Sequence, residues 1–183
     1  MDFKNLKNLY ELFQRQSIKF GKNNFLHSIN DDKSTKSISW HDVSEKVISI
    51  SSFLKKKGVT KGDRVMLVSE GRPEWMISDL AILGTGAITV PNYTTYTQKD
   101  FEFVLNDCHP KGLIVSNSKL YKTILEAAKQ INFTFEFIIS FEKIDNSVDF
   151  QKINYDNDTL ICQCNRKDPA CIIYTSGTQG TPK

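Results

Sequence analysis

The opening part of the chain combines a hydrophobic repeat of helical period with two short apolar runs. Four apolar side chains at roughly helical spacing predict an amphipathic opening helix, and they are Leu9, Tyr10, Phe13 and Phe20. Residues 25–30 and 36–40 are typical of short strands, and the polar turn 31–33 between them predicts a hairpin. Because the apolar stripe of the helix needs a partner, we expect it to pack on its own domain.

A second helix is predicted immediately after this hairpin. Ser39 followed by Asp42 resembles a capping box in which Asp replaces Glu, and Gly58 is suited to end the helix. The apolar stripe between these signals consists of Val43, Val47, Ile50 and Leu54. The lysines at 55–57 complement the negative end of the helix dipole, which explains them without a phosphate-binding patch.

Beyond residue 60 the hydrophobic period switches repeatedly between strand and helix. Strands are predicted at 64–69, 87–90, 112–115 and 135–140, and helices at 73–84, after the Thr97 and Asp100 cap, and at 118–131. Strands that alternate with helices of this length indicate βαβ units, so we predict an α/β fold with a mainly parallel sheet and helices on both faces. Residues 142–168 give no clear pattern, whereas residues 170–174 predict a buried strand.

Composition and charge narrow the classes of function. The chain has 183 residues, of which 39% are hydrophobic and 25% charged, as is typical of a globular protein. The net charge of +3 gives no support for a nucleic-acid surface, and no nucleic-acid partner is expected. The four cysteines lack paired C-x-x-C spacing, so we expect no metal site and reduced thiols.

These features favour a cytoplasmic protein without a transmembrane segment. Charges near the N-terminus do not fit a secretory signal. The uncharged stretch 80–98 is interrupted by Gly84, Gly86 and Pro91 and carries five threonines, so it is too polar for a membrane span. Peripheral membrane contact stays open, because Lys4, Lys7 and Arg15 accompany the apolar stripe of the opening helix.

The chain's last residues have the chemistry of a phosphate-binding loop. Gly177 and Gly180 can take backbone angles closed to other residues, which lets backbone N–H groups converge on an anion. Lys183 supplies a mobile positive charge, and the hydroxyl donors are Thr175, Ser176, Thr178 and Thr181. Because hydrogen bonds to charged groups contribute ~1.5 to 3 kcal/mol each, several together could hold a triphosphate.

Two other interpretations of this loop are an ordinary turn and the phosphate loop of a Walker-type NTPase. Ser, Thr, Gly and Pro also make ordinary turns, and composition alone leaves the two interpretations equal. The spacing disfavours a Walker-type NTPase, because Thr181 and Pro182 separate Gly180 from Lys183, whereas a Walker loop places Lys directly after Gly.

Residues 172–183 resemble the signature loop of the AMP-forming adenylating enzymes, a superfamily of acyl-CoA synthetases, luciferases and peptide-synthetase adenylation domains. The matching residues are Tyr174, Thr175, Ser176, Gly177, Thr178, Gly180, Pro182 and Lys183. Gln179 stands where the family usually has Thr, so an amide replaces a hydroxyl at that position.

Upstream segments are similar to the N-terminal region of long-chain fatty acyl-CoA synthetases, and the likeness begins at about Ser37. They are 62–65, 72–75, 79–81, 86–91 with Tyr93, and 106–111. We assign structural roles to them: Pro73 starts a helix, Gly86 ends a turn and Trp75 packs.

The resemblance implies a function and a set of site residues. Residues 1–183 are expected to be part of the large N-terminal AMP-binding domain, truncated at the phosphate loop, with the C-terminal domain absent. The implied reaction activates a long-chain fatty acid with ATP and Mg²⁺ and then transfers the acyl group to coenzyme A. Lys183 would be catalytic, and the residues implied to bind the ATP phosphates are Thr175, Ser176, Gly177, Thr178, Gln179 and Gly180.

The other parts of the family's site, including its magnesium ligand, come later in the sequences of the family. The 183-residue chain is therefore expected to be inactive alone. Two alternatives stay open: another adenylate-forming ligase, of short-chain acyl, aryl or peptide-synthetase type, and a non-catalytic nucleotide-binding fragment.

Overall fold

A computed structural model describes residues 5–29, 32–154 and 164–175. The chain begins with helix α1 (Leu9–Phe20), the strands β1 (Asn24–Ile29) and β2 (Thr35–Ser39), and helix α2 (Trp40–Lys56). Strands and helices then alternate as β3 (Arg64–Val68), α3 (Pro73–Thr85), β4 (Ile88–Asn92), α4 (Gln98–Cys108), β5 (Gly112–Val115), α5 (Ser118–Gln130) and β6 (Phe137–Ser140). A short strand β7 (Val148–Asp149) and a 3₁₀ turn (Phe150–Lys152) follow.

The larger sheet has five strands in the order β4-β3-β5-β6-β7, and every neighbouring pair is parallel. β1 and β2 form a separate antiparallel hairpin, as predicted from the turn between them. The α/β prediction is therefore confirmed. Residues 142–168, where no element was predicted, supply β7 and the 3₁₀ turn, whose short length gives no periodic signal.

Two hydrophobic layers cover the faces of this sheet. β3 shows the arrangement directly, because Val65 and Leu67 pack with α1, α2 and α3, whereas Met66 and Val68 pack with α4 and α5. All four side chains are fully buried, as expected for a central strand of a parallel sheet. The predicted placement of helices on both faces is confirmed.

Sequence signals at the helix ends match the structure closely. The Ser39 hydroxyl accepts a hydrogen bond from the Asp42 backbone N–H at the start of α2, and Thr97 with Asp100 forms a complete capping box on α4. Pro73 is the first residue of α3, and Gly86 ends that helix with a φ of 83°, in the left-handed region that favours glycine. The structural roles assigned to both residues are confirmed.

Helix α1 packs on its own domain, with one change from the predicted stripe. Tyr10 and Phe13 are buried against the sheet-facing core, but Leu9 is 59% exposed. The buried face is centred on Tyr10, Phe13 and Ser17, because the aromatic rings fill the space above Trp40 and the adjacent α3. Among the described residues, no helix is both long and apolar enough to cross a membrane.

Gly112 provides a direct test of the packing between β5 and β6. Gly112 lies opposite Phe137 in the parallel register, and a Cβ added at Gly112 would overlap the Phe137 ring. We expect Gly112→Ala to lower the free energy of unfolding by about 1–3 kcal/mol, because the ring must leave its rotamer. Urea denaturation measures this loss as a lower midpoint, with an unchanged slope of the free energy of unfolding against urea concentration.

Gly71→Ala is the matched control, since an added Cβ there meets no atom within 4 Å and Gly71 does not have a positive φ. Its effect should stay within about 0.5 kcal/mol. Equal midpoints for the two variants would contradict the predicted clash.

Candidate functional site

The structure describes only the entrance to the predicted phosphate loop. Thr175 is described and exposed. The other predicted site residues, Ser176, Gly177, Thr178, Gln179, Gly180 and Lys183, lie outside the described residues. The described geometry is that of the entry segment, residues 170–175, which directly precedes the other predicted site residues.

This entry segment runs parallel to the edge strand β4. The backbone N–H of Thr89 donates to the Ala170 carbonyl at 3.1 Å, and the Ile172 N–H donates to the Thr89 carbonyl at 3.0 Å. These two bonds make a parallel bridge between Thr89 and Cys171. Because the segment points in the same direction as the five strands, Thr175 follows at the carboxyl edge of the sheet, where open α/β sheets bind ligands.

The prediction of a buried strand at 170–174 is wrong in two respects: the segment makes one isolated parallel bridge instead of a strand, and one of its faces is exposed. Tyr174 is 4% exposed and Ile172 is partly buried, but Cys171 and Ile173 are exposed. The segment lies beyond the edge of the sheet, and its alternate side chains point to opposite faces. Ile172 and Tyr174 join the layer that α4 and α5 cover, whereas among the described residues nothing comparable covers Ile173.

Tyr174 is the most firmly held residue of the entry segment. Its hydroxyl donates to Oδ2 of Asp107 at 2.5 Å, and its ring packs edge-on against Phe103 with the centroids 6.1 Å apart. Its backbone carbonyl accepts a hydrogen bond of 3.1 Å from the Tyr96 hydroxyl. Burial, followed by the contacts with Asp107 and Cys108, raises the pKa of Tyr174, so its hydroxyl stays protonated at neutral pH.

The opposite face of the bridge is held through Thr89. Its hydroxyl donates to Oδ1 of Asp79 on α3 at 2.6 Å. Burial raises the pKa of the Asp79 carboxyl, and the hydrogen bond from Thr89 offsets part of that rise. The strand that receives the entry segment is thereby tied to the helix beneath it.

Several polar residues at the carboxyl edge of the sheet were not identified from the sequence. Asn92 ends β4, Ser116 follows β5 and Ser140 ends β6, and all three are buried. Among the described residues, the side-chain carbonyl oxygen of Asn92 has no hydrogen-bond partner. A polar residue directly after each apolar strand run is the signal that could have found them.

The chemistry of the described residues bears on metal binding. Within 5–29, 32–154 and 164–175, no three His, Cys, Asp or Glu side chains are placed to hold a metal ion. The entry segment supplies instead the exposed hydroxyl of Thr175, which can donate a hydrogen bond to an anion.

The sequence from residue 13 to residue 183 matches the AMP-binding enzyme family. The chain belongs to this family. The match includes both β4 and the entry segment, and it extends through the glycine-rich loop, so the resemblance noted in that loop is part of a chain-wide relationship.

Curated members of the AMP-binding enzyme family include acyl-CoA synthetases. The chain is 29% identical over 128 residues to acyl-coenzyme A synthetase ACSM5, mitochondrial, of Homo sapiens, covering 69% of this chain and 22% of that protein. It is 33% identical over 132 residues to long-chain-fatty-acid–CoA ligase FadD15 of Mycobacterium tuberculosis, with 69% and 22% covered. The chain thus spans about a fifth of the length of these relatives.

Solved structures share the fold. The anthranilate CoA ligase AuaEII, solved in complex with anthranoyl-AMP, superposes on all of this chain and 34% of its own with a TM-score of 0.83 and 25% identity. The parallel sheet with helices on both faces is therefore the architecture of an AMP-binding enzyme.

The buried carboxyl of Asp79 gives a pH-dependent prediction. Because folding raises the pKa of Asp79, this group's contribution to stability is fully present below the ordinary aspartate pKa of about 3.9 and is lost as the pH rises through the raised value. Asp79→Asn does not titrate and keeps an acceptor for Thr89. We therefore expect the variant to be more stable than the parent chain at pH 7 and to lose that advantage towards pH 3.5.

Urea denaturation at several pH values measures the difference in the free energy of unfolding between the two chains. Asp145→Asn, at an exposed aspartate in the loop before β7, is the matched control. A difference between Asp79→Asn and the parent that does not change with pH would contradict the assignment.

Proposed function

We propose that this chain supplies the phosphate-binding part of an AMP-forming long-chain fatty acyl-CoA ligase. In the proposed reaction the fatty-acid carboxylate attacks the α-phosphorus of ATP, which gives acyl-adenylate and releases pyrophosphate. The thiol of coenzyme A then attacks the acyl carbon and displaces AMP. The observation that carries the proposal is the parallel bridge at Thr89, because it brings Thr175, the first residue of a sequence rich in glycine and hydroxyl residues, to the carboxyl edge of the sheet.

The proposed roles within the loop follow from charge. A carboxylate is a weak nucleophile and approaches a polyanion, so the reaction depends on groups that stabilise the charge that develops on the leaving pyrophosphate. We assign the β- and γ-phosphates to Thr175, Ser176, Gly177, Thr178, Gln179 and Gly180. Lys183 would neutralise the leaving group as the loop's catalytic cation.

Magnesium enters the proposal only as the ion that accompanies ATP. The described residues do not form a set of metal ligands, so we assign any protein ligand of the ion to residues outside the described ranges. When bound, the ion would add positive charge next to the phosphates.

The family's length indicates where the rest of the site belongs. Because the chain covers 22% of each curated relative described above, we propose that residues 1–183 are a portion of the large N-terminal AMP-binding domain. Adenine, ribose, the acyl chain and coenzyme A would be bound mainly by residues outside this portion. A cytoplasmic location fits the proposal. Tyr10 and Phe13 of α1 pack in the core, whereas Leu9 and Ile18 of the same helix stay exposed.

A second candidate is an adenylate-forming ligase for another acid. The structural likeness to an anthranilate CoA ligase favours an aryl acid as the alternative to a fatty acid. Comparing palmitate, benzoate and acetate as substrates of a complete ligase that carries this segment distinguishes the two, since the long-chain proposal requires palmitate to have the highest kcat/KM.

Lys183→Ala tests the loop itself. In a complete ligase that carries this segment, we expect ATP–pyrophosphate exchange to slow by about 10²-fold, by analogy with the loss of one preorganised charge-stabilising group. Lys122→Ala on the exposed surface of α5 is the matched control and should leave exchange unchanged. Equal rates for the Lys183 variant and the parent would remove Lys183 from the mechanism.

The 183-residue chain alone is expected to give no palmitate-dependent ATP–pyrophosphate exchange, because the proposal assigns most of the site to other residues. Robust exchange would contradict this assignment. A non-catalytic nucleotide-binding fragment would instead be supported by two results together. They are saturable ATP binding to the 183-residue chain, measured by calorimetry, and no turnover by a complete ligase that carries this segment.

A further inference from the structure

Tyr174 is fixed through both its side chain and its backbone, one residue before the first hydroxyl of the phosphate loop. We infer that Asp107 and Tyr96 are positioning residues for the phosphate-binding sequence: they hold Tyr174, and with it the peptide that leads to Thr175, in place before ATP arrives. This inference rests on the proposed function, and it adds residues that touch neither the nucleotide nor the acid.

The two hydrogen bonds act at complementary points. The bond from the Tyr174 hydroxyl to Asp107 fixes the direction of the side chain, and the bond from the Tyr96 hydroxyl fixes the carbonyl of the peptide that joins residues 174 and 175. The Cα of Thr175 lies one peptide, about 3.8 Å, from that of Tyr174. Little freedom is therefore left at the point where the loop begins.

The acceptor is itself held in place. Asp107 lies in the last turn of α4, whose end is braced by Arg64: its Nε donates to the Cys108 carbonyl at 2.8 Å, and its guanidinium also donates to the His109 carbonyl at 3.1 Å. At the other end, Thr97 and Asp100 close a capping box. The side chain of Asp107 thus projects from a helix that is fixed at both ends.

Tyr96 is braced as well. Its ring makes edge-on contacts with Tyr93 at 5.5 Å and with Phe101 at 5.8 Å between centroids, and Phe101 is fully buried. Hydrophobic packing alone would be satisfied by phenylalanine at positions 96 and 174. The Tyr174 hydroxyl connects the loop entrance to α4, and the Tyr96 hydroxyl connects it to the segment that precedes α4.

Tyr174→Phe isolates the hydroxyl, since the ring can keep its contact with Phe103. In the complete ligase we expect kcat/KM for ATP to fall about 10- to 100-fold, as for other displacements of substrate-binding groups by a distant change. The KM for the fatty acid and the melting temperature should change little, whereas a merely structural loss would lower the melting temperature and affect both substrates.

A double-mutant cycle ties the effect to the pair. Asp107→Ala should resemble Tyr174→Phe, and the double variant should be no worse than either single one, because all three remove the same hydrogen bond. Tyr96→Phe tests the backbone bond independently and keeps the inference testable if Asp107→Ala folds poorly. Tyr121→Phe is the matched control, because its hydroxyl bonds to the Asp145 carbonyl and not to the entry segment or its two partners.

Hydrogen exchange at the Ile172 amide gives a readout that needs no catalysis. That amide donates to Thr89, and its exchange should accelerate in Tyr174→Phe relative to Tyr121→Phe. Faster hydrogen exchange in Tyr174→Phe with an unchanged kcat/KM for ATP would overturn the inference while leaving the proposed function intact. Fully additive effects of Tyr174→Phe and Asp107→Ala on kcat/KM in the double-mutant cycle would do the same. If the parent ligase shows no palmitate-dependent ATP–pyrophosphate exchange, the proposed function and the inference that rests on it are both overturned. Hydrogen exchange at the Ile172 amide would still report whether the Tyr174 hydrogen bond holds the entry segment.

Discussion

One parallel backbone pairing, between Thr89 and residues 170 and 172, determines where the glycine-rich loop begins. It sets both the direction and the register of the entry segment against β4, so the position of Thr175 along the sheet follows from two hydrogen bonds of 3.0 and 3.1 Å. A slip of one residue would exchange the two faces of the segment. Tyr174 would then point away from α4, and Ile173 would take its place.

The register is fixed from both faces of the sheet. On one face, Asp79 of α3 holds the Thr89 side chain, and on the other, Asp107 of α4 holds the Tyr174 side chain. This arrangement opposes ionisation of Asp79, because partial burial of the carboxyl group raises its pKa. Two polar contacts therefore specify a position that apolar packing alone would define less sharply.

Most of the architecture could be predicted from hydrophobic period and capping residues, because both are local properties of the chain. Ser39, Thr97 and Pro73 mark helix starts wherever they occur in the fold, and the structure confirms all three. The exposure of Ile173 could not be predicted, since a short apolar run is equally typical of an edge segment and a buried strand. The Asp107–Tyr174 contact joins residues 67 positions apart, and no local pattern contains it.

Positioning the loop entrance has an energetic reason in the proposed function. Fixing the backbone of one residue costs about 1–2 kcal/mol. A loop with two glycines and several hydroxyl residues that became ordered only on binding would therefore lose much of the free energy of its hydrogen bonds to phosphate. Anchoring Tyr174 removes part of that cost before the nucleotide binds, because the chain next to Thr175 is already ordered. In the proposed function Gly177 and Gly180 would supply the backbone angles of an anion-binding turn, and the sheet and α4 supply the fixed point at Tyr174.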